Sequence, residues 1–226
     1  MSNSDVRELR FEGPGARSVS ARLLMPQRPQ ACFVFAHGAG AGMTHRFMED
    51  AALGLGSRGI ATLRYQFPYM ETGSKRPDSP NIAHATVRAA VAEAERLCPR
   101  LPLIAGGKSF GGRMTSQTQA LAALPSVKGL AFLGFPLHPV GRPSDERAKH
   151  LFDIHVPMLF LQGTRDKLAD MHLLEPLVNA LGPAALLHPL AEADHAFHVL
   201  VRSGRNDADV MTELLDVFAA WASRLI

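Results

Sequence analysis

Gly106-Gly107-Lys108-Ser109-Phe110-Gly111-Gly112 is the stretch on which the fold turns. An apolar run, Leu101 to Ala105, leads into it, and a helix-compatible segment, Arg113 to Ala123, leads out. Within it, Gly107 to Gly111 fits the pattern G-x-S-x-G. Where strand, tight turn and helix meet at such a serine, the backbone is strained and the hydroxyl is pushed out at the sheet edge. The glycines two before and two after the serine come too close for side chains, and the turn needs unusual backbone angles. A plain glycine-rich turn carrying a surface serine would show the same pentapeptide, so the surrounding chain has to choose between the two readings.

Working towards the N-terminus, residues 5 to 25 read as two strands around the turn Gly13-Pro14-Gly15, the second being Ser18 to Met25. Ala31 to Ala36 is almost wholly apolar, the signature of a strand covered on both faces of a parallel sheet. The small-residue run His37-Gly38-Ala39-Gly40-Ala41-Gly42 follows it. A helix is expected from about Arg46 to Arg58, stopped by Gly59, and then a strand from Ile60 to Tyr65. Gln66 to Pro80 is too long for a plain connection, so a small lid or a mobile segment is expected there, with a pocket wall as the favoured role. Asn81 is placed to cap a helix running to about Cys98.

Towards the C-terminus, Val127 to Gly134 and Pro157 to Gln162 read as strands, with at most a short helix between Arg142 and Leu151. A helix over Met171 to Leu181 and a strand over Ala184 to Pro189 come next. The last helix, Asp207 to Leu225, places Val210, Leu214, Val217, Phe218, Trp221 and Leu225 at helical spacing. Strand and helix alternate from residue 31 onwards, which predicts one α/β domain over residues 1–226. Its sheet would be mostly parallel, with about eight strands, the first two partly antiparallel, and helices on both faces. The short insertions between 135 and 156 leave no room for a large cap domain.

Composition narrows the function. Among 226 residues, 24 basic against 21 acidic side chains give a net charge of only +3, and the basic residues are scattered. That argues against a nucleic-acid partner. There are 2 cysteines, so neither a disulfide framework nor a zinc site is expected, and a reducing compartment is the default. The charged N-terminus lacks the apolar stretch of a signal peptide, and no apolar run reaches membrane-spanning length; a cytoplasmic location is expected. No cofactor is indicated. A phosphate-binding loop ending in Gly107-Lys108-Ser109 would need glycine at 102, where proline stands, and Gly38 to Gly42 lacks dinucleotide-loop spacing. His195 and His198 have no further ligand at metal-binding spacing.

In open α/β sheets the reactive groups gather beyond the carboxyl ends of the strands. The residues found there are, in chain order, His37 to Gly40, the 66–80 loop, Ser109, Phe135 to His138, Asp166 and His195. The chain resembles the α/β-hydrolases through Gly107 to Gly111, His37 to Gly40, Gly163-Thr164-Arg165-Asp166 and Asp194-His195-Ala196-Phe197. The order serine, aspartate, histidine is the one that family uses. Within it, the chain is similar to small cap-less proteins of the dienelactone-hydrolase-like and Tex/KANSL-like groups. Lys108 to Met114 and the loop Phe135-Pro136-Leu137-His138-Pro139 carry the latter likeness. Dienelactone hydrolases use a cysteine nucleophile, so their substrate does not transfer to a chain with Ser109.

The resemblance implies a serine hydrolase that forms an acyl-enzyme on a small acyl substrate. Ser109 would attack, His195 would take its proton, and Asp166 would hold the imidazole. Phe110 would supply one oxyanion donor and Ala39 the other, with Gly40 as the alternative. His198 competes with His195, and Asp170 with Asp166, although Asp170 also suits a helix cap. His37 is expected to orient the oxyanion loop or to line a substrate pocket with Phe135 and His138. Two other readings stay open: a non-catalytic binding protein on the same fold, and the same three residues acting on thioesters, amides or peptides.

Overall fold

A computed structural model describes residues 5–226. Strands β1 (Asp5–Glu12) and β2 (Ser18–Met25) form a hairpin, and β3 (Ala31–Ala36) opens the alternating part of the chain. Then follow α1 (Arg46–Gly56), β4 (Ile60–Tyr65), α2 (Pro68–Glu71), α3 (Pro80–Leu97), β5 (Leu103–Lys108) and α4 (Phe110–Leu121). The chain ends with β6 (Val127–Leu133), β7 (Met158–Gly163), α5 (Met171–Ala180), β8 (Ala185–Leu190) and α6 (Asp207–Ala222). The strands form one eight-stranded sheet in the order β1-β2-β4-β3-β5-β6-β7-β8. β2 is antiparallel to both β1 and β4, and the other pairings are parallel.

The sheet is covered on both sides because alternate residues of its central strands are apolar in both directions. Phe33 and Phe35, two apart on β3, face α1 and α6, where Phe33 meets Phe218 with ring centres 4.8 Å apart. Cys32 and Val34 face the opposite core, built with Val87 and Val91 of α3, Met114 of α4 and Leu174 of α5. In α6, Val210, Leu214, Phe218 and Trp221 are buried, while Val217 and Leu225 are only partly so and the helix stops at Ala222. Asn206 and Asp209 close a reciprocal capping box at its start. Cys32 and Cys98 are both buried and free. No helix among the described residues is long and apolar enough to cross a membrane.

Three local expectations change. Gly106 and Gly107 belong to β5 rather than to a loop, pairing with Phe35 and Ala36 on one side and with Ala131 and Phe132 on the other. The strand therefore runs straight into Ser109, and α4 begins at Phe110 rather than Arg113. Asn81 does not cap α3: Ser79 is the cap position and Pro80 takes the first helical position, where its missing N–H costs nothing. The 66–80 segment is neither lid nor pocket wall. It carries α2, buries Phe67, Pro68 and Tyr69, and is tied to β2 by a 2.6 Å bond from the Ser20 N–H to Glu71.

Candidate active site

The Ser109 turn is forced by crowding at the sheet centre. A side chain at Gly111 would bring its Cβ to 2.6 Å from the carbonyl oxygens of both Ala36 and His37. One at Gly107 would meet the carbonyl carbon and Cβ of Ala36 at 2.9 Å and the carbonyl oxygen closer still. The end of β3 therefore crosses directly over the turn, and only glycines leave it room. Ser109 itself adopts φ 50° and ψ −115°, a conformation that typically costs about 1–3 kcal/mol outside glycine.

His195 lies on the loop after β8 and joins Ser109 to Asp166 on the loop after β7. Its Nε2 is 2.9 Å from the Ser109 hydroxyl, and its Nδ1 is 2.6 Å from Asp166 Oδ2. A carboxylate only accepts, so the imidazole proton sits on Nδ1 and the Nε2 lone pair faces the serine hydroxyl, which donates. The Asp166 side chain is 0% exposed and that of His195 28%, so the acid is sealed in while the imidazole stays reachable. Burial on that scale requires partners. Asp166 Oδ2 also accepts from the Gln162 amide at 2.6 Å, and Oδ1 from the Leu168 N–H at 2.8 Å. The Gln162 carbonyl in turn accepts the Phe135 N–H at 2.8 Å, so one buried side chain orients both the acid and the loop after β6.

The competing residues lie elsewhere. Asp170 caps α5, accepting the His172 N–H at 2.9 Å. His198 is exposed and paired with Asp207 at 2.9 Å.

The loop after β3 is held from beneath. The buried His37 donates through Nδ1 to the Gly38 carbonyl at 2.8 Å and accepts the Phe67 N–H on Nε2 at 3.0 Å. Tyr69 donates its hydroxyl to the Ala39 carbonyl at 2.9 Å. Carbonyl and N–H of one planar peptide point opposite ways, so these two bonds also orient the N–H groups of Ala39 and Gly40. Among the described residues, no protein group accepts from the N–H of Ala39, Gly40 or Phe110. The Phe110 N–H is free because it opens a helix.

His37 carries a pH consequence. Burial lowers its pKa from 6.5 to about 4, so it is neutral in the folded chain. Between those values the unfolded chain takes up a proton that the folded chain does not. Its contribution is present above pH 6.5 and lost as the pH falls through 4, a difference of about 3 kcal/mol. His150, also lowered to about 4 by burial and the neighbouring Arg113, acts in the same direction. The urea midpoint should fall between pH 7 and pH 4.5, and fall less in His37→Gln. An equal fall in both proteins would contradict this account.

A cavity of about 270 Å³ opens beside Ser109 and His195, walled mainly by Ala39, Ala41, Phe47, Met48 and the stem of Lys108. Three residues expected there do not line it. His37 lies under the loop as its support. Phe135 is in the core against Phe132 and Phe160, with ring centres 5.3 and 5.8 Å away. His138 faces a separate depression and accepts the Asp170 N–H at 2.9 Å. The apolar character of Phe135 is better used under the sheet, and the wall comes instead from α1, whose contribution the sequence reading missed. Gln162 was also missed, although one signal was visible: a polar residue ending the otherwise apolar run Met158 to Leu161.

Residues 29–223 match the model of a family described as "Alpha/beta hydrolase domain". The chain belongs to the alpha/beta hydrolase family. Solved structures of similar fold include a lid-less α/β serine hydrolase from Xanthomonas campestris, 19% identical, with 96% of this chain and 95% of that one covered and a TM-score of 0.74. The esterase domain of a Rhodothermus marinus protein is also 19% identical, covered at 97% and 98%, with a TM-score of 0.75. A dienelactone hydrolase from Anabaena variabilis is 18% identical, covered at 97% and 98%, with a TM-score of 0.75. At these identities the likeness concerns the fold. Among the described residues of this α/β hydrolase, no separate cap domain stands over the serine; residues 146–153, with Ala148 and Leu151 buried, pack against α4.

Proposed function

We propose that this α/β hydrolase is a serine hydrolase that cleaves esters of small acyl groups through an acyl-enzyme. The observation that carries the reading is the unbroken hydrogen-bonded chain Ser109–His195–Asp166 at the mouth of an apolar cavity. The Ser109 oxygen attacks the ester carbonyl carbon while its proton passes to His195 Nε2. Asp166 holds the Nδ1 proton and stabilises the imidazolium. The tetrahedral oxyanion accepts from Phe110 N–H and from Ala39 N–H, with Gly40 as the alternative; each such donor is typically worth about 3–4 kcal/mol. His195 then gives its proton to the departing alcohol oxygen. Water repeats the sequence on the acyl-enzyme, releases the acid and restores Ser109.

The cavity supports a modest acyl group, since 270 Å³ is room for about nine groups the size of water. The printed descriptions of similar structures as esterase and serine hydrolase agree with this class. The proposal needs no metal, cofactor or nucleic acid.

A fluorophosphonate probe tests it. The folded protein should gain one phosphonyl group, located by mass spectrometry on the peptide carrying Ser109. Asp166→Asn should retain the fold and react about 10³- to 10⁴-fold more slowly, because the amide no longer enforces the reactive tautomer. A folded, unlabelled wild type would rule the reading out.

A further inference from the structure

We propose that Lys108 is a positioning residue: its charged head holds the main chain of His195, and so keeps the imidazole aligned between Ser109 and Asp166. Lys108 is the last residue of β5, directly before the serine. Its stem forms part of the cavity wall beside Gly38, where a Cβ would lie 3.7 Å from Lys108 Cγ. Its head donates to the His195 carbonyl oxygen at 2.5 Å. Among the described residues this is the one hydrogen bond made by the His195 main chain.

The surroundings are shaped for that head group. Its nitrogen lies 4.8 Å from the centre of the Phe197 ring and 5.8 Å from that of Phe47, which stack on each other. Both are favourable faces for a cation. Gly134, in the left-handed region at φ 71°, clears the space: a Cβ there would stand 2.9 Å from the lysine nitrogen and 3.5 Å from the His195 ring. The loop that Lys108 restrains is otherwise under tension. Glu192 and Phe197 both have positive φ, at 61° and 65°; Thr164 accepts the Glu192 N–H at 2.9 Å and Asp194 accepts the N–H groups of Ala196 and His198 at 2.8 and 3.0 Å, but none of these bonds reaches the main chain of His195.

The charged groups facing Lys108 are Asp166 on the loop after β7 and Asp194 on the histidine loop, with the His195 imidazole beside them; α1 presents Phe47 and the residue after β6 is Gly134. Burial lowers the ammonium to about 8, against the pull of the two carboxylates. The charge-assisted bond is therefore present at neutral pH and lost as the pH rises through 8, leaving a weaker neutral donor.

Lys108→Met keeps the stem and removes the head; Lys108→Gln is a second, polar variant. Two readouts are needed. The kinetic one rests on the hydrolase reading: kcat on a short acyl p-nitrophenyl ester should fall about 10- to 100-fold with KM changed less than about threefold, and the alkaline limb of wild-type kcat near pH 8 should disappear. The second does not rest on it: amide exchange over residues 192–199 should speed up about tenfold in both variants. In unmodified protein the same segment should lose protection between pH 7 and pH 9 after correction for intrinsic base catalysis, a measurement that requires no variant. Unchanged exchange in wild type across that range, or variants that keep both the wild-type kcat and the alkaline limb, would overturn the proposal. Exchange that responds while a fluorophosphonate leaves wild type unlabelled would sustain the role of Lys108 and sink the hydrolase reading alone.

Discussion

Ser109→Ala should lower kcat on a short acyl p-nitrophenyl ester by about 10⁵- to 10⁶-fold, the range seen when the nucleophile of such a constellation is removed. The reason lies in the geometry. His195 Nε2 faces one hydroxyl, that of Ser109 at 2.9 Å. With the oxygen gone, neither acyl transfer nor proton transfer has a partner. Activity above the uncatalysed rate would come only from the free N–H groups and from binding, about 10³-fold by precedent. The fold should survive, because alanine fits wherever serine does. One hydrogen bond to a half-buried imidazole is lost, worth about 1 kcal/mol. Purified variant and wild type compared by stopped assay and by urea midpoint would check both halves. A variant retaining a tenth of wild-type kcat would mean that Ser109 is not the nucleophile.

Gly107→Ala should be among the most damaging single-methyl additions at the sheet centre. Its Cβ would lie 2.9 Å from the carbonyl carbon and Cβ of Ala36, with the oxygen nearer, and all of these belong to the neighbouring central strand. A flexible side chain could move aside; paired backbone in β3 cannot without breaking its register with β5. The residue also sits at φ 157°, at the edge of the region that side chains rarely adopt. Destabilisation above about 4 kcal/mol is expected, in the range reserved for core overpacking and backbone strain. Gly40→Ala is the control: a Cβ there meets nothing within 4 Å, so stability should change by less than about 0.5 kcal/mol. Chemical denaturation of the two variants decides the matter, and equal midpoints would refute the crowding argument.

The contrast between these glycines shows how much could be read in advance. The pattern Gly107 to Gly111 announced a tight approach, and the apolar run Ala31 to Ala36 announced a strand buried on both sides. Both are local signals, carried by residue type and period. The sheet order could not be read the same way. β4 lies between β2 and β3, and nothing in the spacing of residues 18 to 65 requires that crossover. The 66–80 segment misled because proline and charge suggest an exposed loop, whereas Phe67 and Tyr69 carry it under the loop after β3. Phe135 misled for the opposite reason. It follows a strand end, where functional residues gather, yet its ring is worth more packed with Phe132 and Phe160 than facing solvent.

By itself the sequence determined the alternation of strand and helix, the serine at a glycine-flanked turn, and the chain order of serine, aspartate and histidine. These follow from hydrophobic period and from backbone sterics, which act over a few residues. Only the tertiary structure decided which groups meet. His195 lies 86 residues from Ser109 and 29 from Asp166, and hydrogen bonds of 2.9 and 2.6 Å between them exist only because three strand ends share one rim. Gln162 behind Asp166, His37 and Tyr69 beneath the loop, and Lys108 on the carbonyl of His195 have the same origin. Directional bonds between residues far apart in sequence leave no periodic trace in the chain, and they appear only when the sheet brings their partners within reach.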